Sequence, residues 1–277
     1  MFHGAPRHFS ACVDLVPRQI HIRPMDFDIS HLLESWEYQP GQVVVRRFKA
    51  KDGKGKIQLR VDLGLLQMNA EGRPDGKRPF GHNSLLEYHQ ARLFKYVAAH
   101  EASDAGFKLT AEECAKLQLE ALQYHHRYIC LLQLEDYVGV IRDAERNLTV
   151  FDFVQKHAAA EDLVWALRQF EPQLLMILTR ARGSQALKED DYELAIRLIE
   201  EGVEQVRTFY KNSAGGEAAE QSGEILSLSD WLEEIRAKRP LTRRERLERA
   251  LNDAVKSEDY ERAAQVRDEL RNLKSAE

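Results

Sequence analysis

The sequence predicts an α+β fold, mainly α, in which a small antiparallel β-meander near the amino terminus precedes a long helical remainder. Three observations lead there. Six of the eight prolines (Pro6, Pro17, Pro24, Pro40, Pro74, Pro79) and eight of the fifteen glycines fall within the first 81 of 277 residues. Proline blocks helix interiors and glycine weakens them, so sustained helix is expected only after that point. Apolar residues recur at every second position between Val43 and Ala70, and at helical spacing beyond Ser84.

Each element follows from local chemistry. Residues 1–24 carry neither period nor a signal-peptide core, and are expected to form a disordered extension, with Met25 as the true start. Residues 25–82 form a short helix and the meander. Asp26 and Asp28 precede the helical set Ile29, Leu32, Leu33 and Trp36. A first strand runs from Val43 to Lys49, and Lys51-Asp52-Gly53-Lys54-Gly55 has turn composition. Ile57, Leu59, Val61 and Leu63 then alternate with Gln58, Arg60 and Asp62, and after Gly64 the residues Leu66, Met68 and Ala70 suggest a third strand. Such a meander has one face to bury, beneath the helices that follow. Gly72-Arg73-Pro74-Asp75-Gly76 closes it with a turn.

Residues 83–211 read as a helical domain of αα-hairpins. Asn83 or Ser84 caps the first helix, and Thr110 with Glu113 forms a capping box for a long helix from Leu117 through Leu132. Further helices are expected over Tyr137–Ala158, Leu163–Phe170, Pro172–Lys188 and Tyr192–Tyr210. Residues 212–224 are small and polar and read as a linker. In the terminal unit, 225–277, Pro240 stops a helix over Trp231–Arg239, Thr242 caps Arg243–Lys256, and Asp259 caps Tyr260–Lys274.

Composition narrows the function classes. With 43% apolar and 31% charged residues and a mean hydropathy of −0.51, the chain is sized for one or two globular domains, and no apolar run is long enough to span a membrane. A net charge of −5 means that any nucleic-acid role must rest on a local patch. Cys12, Cys114 and Cys130 form no CxxC pair, which points to a reducing cytoplasmic setting without disulfides or a thiolate zinc site.

A tripeptide recurs at three helix junctions: Glu135-Asp136-Tyr137, Asp190-Asp191-Tyr192 and Glu258-Asp259-Tyr260. The aspartate is placed to cap the next helix and the tyrosine to pack into the corner. Two readings stand: a diverged αα-hairpin repeat, or recurrence of good capping chemistry.

The last segment reads Leu247, Leu251, Ala254-Val255, Glu258-Asp259-Tyr260-Glu261, Ala263-Ala264, Arg267-Asp268, Leu270 and Leu273. It resembles the UVR motif, the helical hairpin at the carboxyl end of excision-repair subunits B and C, found also in Clp-type ATPases and arginine-kinase activators. The resemblance implies a docking module with no catalytic residue. It makes Tyr260, Ala263, Ala264, Arg267, Leu270 and Leu273, with Leu251 and Val255, the candidate partner-binding residues. The linker favours a detached hairpin; packing onto its own helical domain is the alternative. Residues 26–88 are also similar to a bacterial group that ends in this motif, which bears on architecture and not on chemistry.

Two basic patches are candidates for nucleic acid. Between Val43 and Arg60 seven basic residues (Arg46, Arg47, Lys49, Lys51, Lys54, Lys56, Arg60) face one acid, Asp52. They suit either a phosphate backbone or a solvated edge strand. Between Arg236 and Arg249 seven basic residues face Glu245 and Glu248. The ten histidines include no metal-binding spacing, and no nucleotide loop or nucleophile motif is present, so no metal, cofactor or enzymatic activity is expected.

The expected function is therefore a non-catalytic adaptor that docks a protein through the terminal hairpin: a repair subunit, a Clp-type ATPase or a second copy. The alternative is a nucleic-acid-binding accessory factor in DNA repair, using Arg46, Arg47, Lys49, Lys54, Arg243 and Arg244.

Overall fold

A computed structural model describes residues 28–214 and 220–274. The expectations about the 1–24 extension, the Met25 start and Cys12 fall outside these residues, as do positions 215–219 of the expected linker. Helix α1 (Ser30–Glu34) leads into strands β1 (Val44–Lys49), β2 (Gly55–Val61) and β3 (Gly64–Asn69) and a 3-10 turn, Pro79–Gly81. The helices then run α2 (Leu85–Ala99), α3 (Ala111–Gln133), α4 (Tyr137–His157), α5 (Glu161–Arg168), α6 (Glu171–Lys188), α7 (Tyr192–Ala214), α8 (Gly223–Lys238), α9 (Arg243–Lys256) and α10 (Tyr260–Lys274). The fold is mainly helical, with the small antiparallel sheet near its amino end.

The strands form one sheet in the order β1-β2-β3, with Gln58 opposite Arg46 on one side and Gln67 on the other. In the β1–β2 turn Gly53 takes φ +78°, and the Asp52 carboxylate accepts the Lys54 N–H at 3.0 Å. Val61 pairs with Gly64 across a two-residue turn. Leu63, expected on the buried face of β2, therefore sits at the turn tip and is 89% exposed. Val45, Ile57, Leu59 and Met68 turn toward the helices.

The sheet does not leave its second face to solvent. Gln58 and Arg60, on that face, are also buried. Arg46 donates to Gln58 at 2.7 Å, Gln58 donates to Gln67 at 2.7 Å, and the Arg46 guanidinium lies 4.2 Å from the Trp36 ring. Arg60 donates to the Trp36 carbonyl at 2.9 Å. Strand alternation marks these side chains as outward, but the segment around Trp36, which covers them, precedes the strands, and its helical spacing says nothing of the sheet face it meets.

Ser84 caps α2, its hydroxyl accepting the Glu87 N–H at 3.0 Å, and Thr110 and Glu113 form the reciprocal capping box on α3. From there successive helices pack side by side: α3 on α4, α4 on α6, α6 on α7, α7 on α8. One core joins the sheet to α3, α4 and α6. A second, with Leu175, Ile199, Val206, Ile225, Leu228 and Leu232, lies between α6, α7 and α8. Gly202 lets α7 approach α6 so closely that a Cβ there would fall 2.1 Å from the Thr179 hydroxyl. Helix α8, which the 212–224 linker assigns to the terminal unit, is thus a wall of the body, because its Ile225–Ile235 stripe completes the second core.

Beneath the sheet lies a cluster of buried charge. Glu120 on α3 has no exposed side-chain surface. Its carboxylate accepts the Leu85 N–H at 2.8 Å at the start of α2, lies 2.9 Å from Arg73 Nε, and pairs with Arg146 of α4. Asp143 of α4 takes both forks of Arg127 of α3, at 2.6 and 2.8 Å, and Arg142 at 2.9 Å. Arg127 donates from Nη1 to the carbonyls of Asn69 at 3.0 Å and Gly72 at 2.7 Å. The Tyr124 ring lies 4.9 Å from the Arg127 guanidinium and 4.1 Å from that of Arg146. Elsewhere in the core Cys114 and Cys130 are free thiols; burial pushes that of Cys130 up to about 12.

Removing one partner of a buried ion pair strands the other. Asp143→Ala is expected to cost about 3–5 kcal/mol by urea unfolding, whereas the double change Arg127→Met, Asp143→Leu costs much less. A double variant as unstable as Asp143→Ala would contradict this. Burial also holds His89, His125, His126 and His157 below the ordinary 6.5. The unfolded chain takes up those protons near 6.5, so their contribution to stability is complete above that pH and is lost as pH falls through the depressed folded values. The melting midpoint is expected to drop between pH 7.5 and about pH 5.5, and less so for His125→Gln, His126→Gln; a flat profile would contradict the assignment.

Candidate docking site

The three acidic corners share one geometry. Glu135, Asp190 and Glu258 take the left-handed conformation, at φ 54°, 57° and 59°. The N–H of the next aspartate then returns to a carbonyl five residues back, from Asp136 to Leu131 at 2.9 Å, Asp191 to Ala186 at 3.0 Å and Asp259 to Ala254 at 2.9 Å. Each aspartate also caps the following helix, accepting the N–H of Gly139 at 3.0 Å, Leu194 at 2.9 Å or Arg262 at 3.1 Å. One tripeptide therefore ends a helix and starts the next.

The corners differ in what covers the tyrosine. Tyr137 packs against the first core and Tyr192 against the second. Tyr260, placed in the corner by the sequence pattern, is instead 69% exposed. The reason is that α9 and α10 pack on each other and make at most marginal contact with the body, so no third helix reaches this corner.

Within the hairpin the buried apolar residues are Ala254, Ala263 and Val266, small enough for the helices to approach closely. Leu251, Ala264, Leu270 and Leu273 are half-buried along the seam. Val255 is 51% exposed. Arg267 is exposed and pairs with the neighbouring Asp268 at 3.1 Å. Of the candidate partner-binding residues, Ala263 therefore serves the hairpin itself, while Val255 and Tyr260 offer apolar surface outward.

The hairpin joins the body through Pro240 and Arg239, whose guanidinium bridges Glu193 of α7 at 2.8 Å and Glu245 in the first turn of α9. Arg239, the Thr242 amide and hydroxyl together bring the Glu245 carboxyl down to about 2. Beside this junction a groove of about 360 Å³ is lined by Leu241, Ala250, Arg246, Arg249 and Arg262, with Asp253 as its acid. Arg246, Arg249 and Arg262 have no carboxylate partner among the described residues. Leu241 and Arg262 carry no signal in a linear scan, since they meet Arg246 and Arg249 only through the hairpin's fold.

The basic patches are more engaged than their sequence suggests. Arg46 is tied to Gln58 and Trp36, Arg47 pairs with Asp136 at 2.7 Å, and Lys54 lies 3.9 Å from Asp52. Lys49 and Arg243 are exposed. Arg236 pairs with Glu200 and Glu233, Lys238 with Glu234, and Arg244 with Glu248. These acids come from the same helix faces and from α7, so part of the charge that looks local in the sequence is met in the fold, while Lys49, Arg243, Arg246 and Arg249 have no carboxylate partner among the described residues. Among the described residues no group of three or more His, Cys, Asp or Glu side chains is placed to hold a metal, and no helix is long and apolar enough to cross a membrane.

Residues 242–276 match the family described as the UvrB/uvrC motif, which spans α9, the acidic corner and α10. No curated protein and no solved structure matches the chain.

The two kinds of corner respond differently to loss of the cap. Asp191→Ala and Asp259→Ala each remove about 1 kcal/mol of capping. Only Asp191→Ala is expected to lower the main thermal transition, by about 2–4 °C, because Asp259 stabilises a hairpin outside the body's cores. An equal shift in both variants would show that the hairpin melts with the body.

Proposed function

We propose that the protein is a non-catalytic adaptor that docks a protein partner through the α9–α10 hairpin. The observation that carries this reading is the bare corner at Tyr260: the same tripeptide that elsewhere tucks its tyrosine beneath a neighbouring helix here presents it to solvent. A hairpin with so little buried surface gains by covering Val255 and Tyr260 against another helix. The arginine-lined groove beside it favours a partner that carries acidic side chains next to an apolar helical face. The resemblance to the UVR motif is in keeping with this, since such hairpins join proteins to one another; a repair subunit, a Clp-type ATPase or a second copy are the partners it suggests. The nucleic-acid reading has less support, because Arg46 and Arg47 are already held by Gln58, Trp36 and Asp136.

The test is affinity capture with the full chain, with a chain ending at Leu241, and with Val255→Ser, Tyr260→Ala. Ending at Leu241 keeps α8 and the second core intact. A buried aromatic anchor contributes about 2 kcal/mol, so the double variant is expected to bind at least roughly thirty-fold more weakly, with the circular dichroism spectrum unchanged. Sedimentation velocity across concentrations separates self-association from capture of another protein. A partner retained equally by all three proteins, with no self-association, would remove the hairpin from the mechanism.

A further inference from the structure

The geometry points to a second site, independent of the hairpin: a phosphate-binding cradle formed by the turn from Gly72 to Arg78 together with Lys54 of the β1–β2 turn. The turn is closely made. Gly72 and Gly76 take φ +66° and +73°, the Gly76 N–H donates to the Arg73 carbonyl at 2.9 Å, and the Asn69 N–H donates to the Pro74 carbonyl at 2.8 Å. A Cβ on Gly76 would fall 2.7 Å from the Asn69 amide nitrogen.

It is also held from beneath by buried charge. Arg127 donates to the carbonyls of Asn69 and Gly72, and Arg73 turns inward to Glu120 at 2.9 Å. A surface turn anchored in this way keeps its shape whether or not anything is bound, which is what a preorganised anion site requires.

Above the turn lies an open cavity of about 470 Å³. Lys54, Lys77 and Arg78 line it together with Arg73, which is spent on Glu120 and Asp75, while Lys54 lies 3.9 Å from Asp52; the lining acid, Glu71, is itself paired with Arg142 at 2.5 Å. Lys77 and Arg78 are exposed and have no carboxylate partner among the described residues; Arg78 uses one fork on the Gly81 carbonyl at 3.0 Å. In a chain of net charge −5, a fixed concavity whose Lys77 and Arg78 are left without carboxylates attracts an anion, and an ammonium and a guanidinium at its rim suit the oxygens of phosphate. The site has no nucleotide-loop sequence because its cations come from two turns, joined by the pairing of β2 with β1 and β3.

Next to Arg78, Phe80 sits at φ 50° with its ring stacked 4.3 Å from Tyr88 and 68% exposed. A base attached to the phosphate would find there a ring to stack on. The ligand class is accordingly a small phosphate compound, either an inorganic polyphosphate or a nucleotide.

Isothermal titration of the full chain with pyrophosphate and with ADP, at fixed ionic strength, tests the site. Both are expected to bind, and Lys77→Ala, Arg78→Ala is expected to weaken both at least ten-fold while leaving the circular dichroism spectrum and melting midpoint unchanged. Tighter binding of ADP that Phe80→Ala reduces to the pyrophosphate level identifies a nucleotide as the ligand; equal affinities identify the inorganic anion, and either supports the cradle. No binding of either compound at millimolar concentration, or equal affinity in the double variant, would overturn it.

Discussion

Two carboxylates sealed from water, Glu120 and Asp143, govern how the amino-terminal half of this protein is placed. A buried charge is costly unless it is met by charge and hydrogen bonds from every direction. Glu120 is met by the first amides of α2, by Arg73 from the turn after β3 and by Arg146 from α4. Asp143 is met by Arg127 and Arg142, and Arg127 passes the constraint on to the carbonyls of Asn69 and Gly72. The sheet, the turn, and the start of α2 are thereby fixed to the α3–α4 pair at several points. Apolar contact alone, from Ile57, Leu59 and Met68, would leave their register less defined.

The same chain uses a contrasting arrangement at its other end. Identical corner chemistry builds the α3–α4, α6–α7 and α9–α10 junctions, yet the first two are embedded in cores and the third stands alone. What holds the hairpin near the body is Pro240 and the partly exposed pairs of Arg239, and exposed pairs contribute at most about 1 kcal/mol each. A rigid body with a weakly held appendage is the arrangement an adaptor needs: the body keeps its fold while the appendage exchanges solvent for a partner. The phosphate cradle draws on the opposite property, since its turn is stiff because Arg73 and Arg127 are buried.

Local chemistry was readable in the sequence and long-range cover was not. The capping box at Thr110, the Ser84 cap, the three strands, the stop at Pro240 and the cap at Asp259 all follow from residues close to each other in the sequence. The burial of Arg60 and Gln58 depends on Trp36, more than twenty residues away, whose helical spacing with Ile29, Leu32 and Leu33 does not indicate which face of the sheet it covers. A faint signal for the buried charge did exist: Glu120 and Arg127 lie in phase with Leu117, Tyr124 and Leu131 on α3, as Asp143 and Asn147 do with Val140 and Val154 on α4. Polar residues on an apolar stripe read as tolerated exceptions until the facing helix is known. The terminal hairpin was legible as a motif, but the exposure of Tyr260 was not, because no third helix packs at that corner among the described residues.

Stability is expected to divide between a body locked by buried charge and a hairpin that opens by itself. Native-state hydrogen exchange on the full chain, resolved by segment, tests it most directly. Amides of α3, α4, Asn69 and Ala70 are expected to exchange last and together, while those of α9 and α10 exchange through a separate opening of lower free energy. Equal protection across α4 and α10, or early exchange of Asn69 and Ala70, would contradict it.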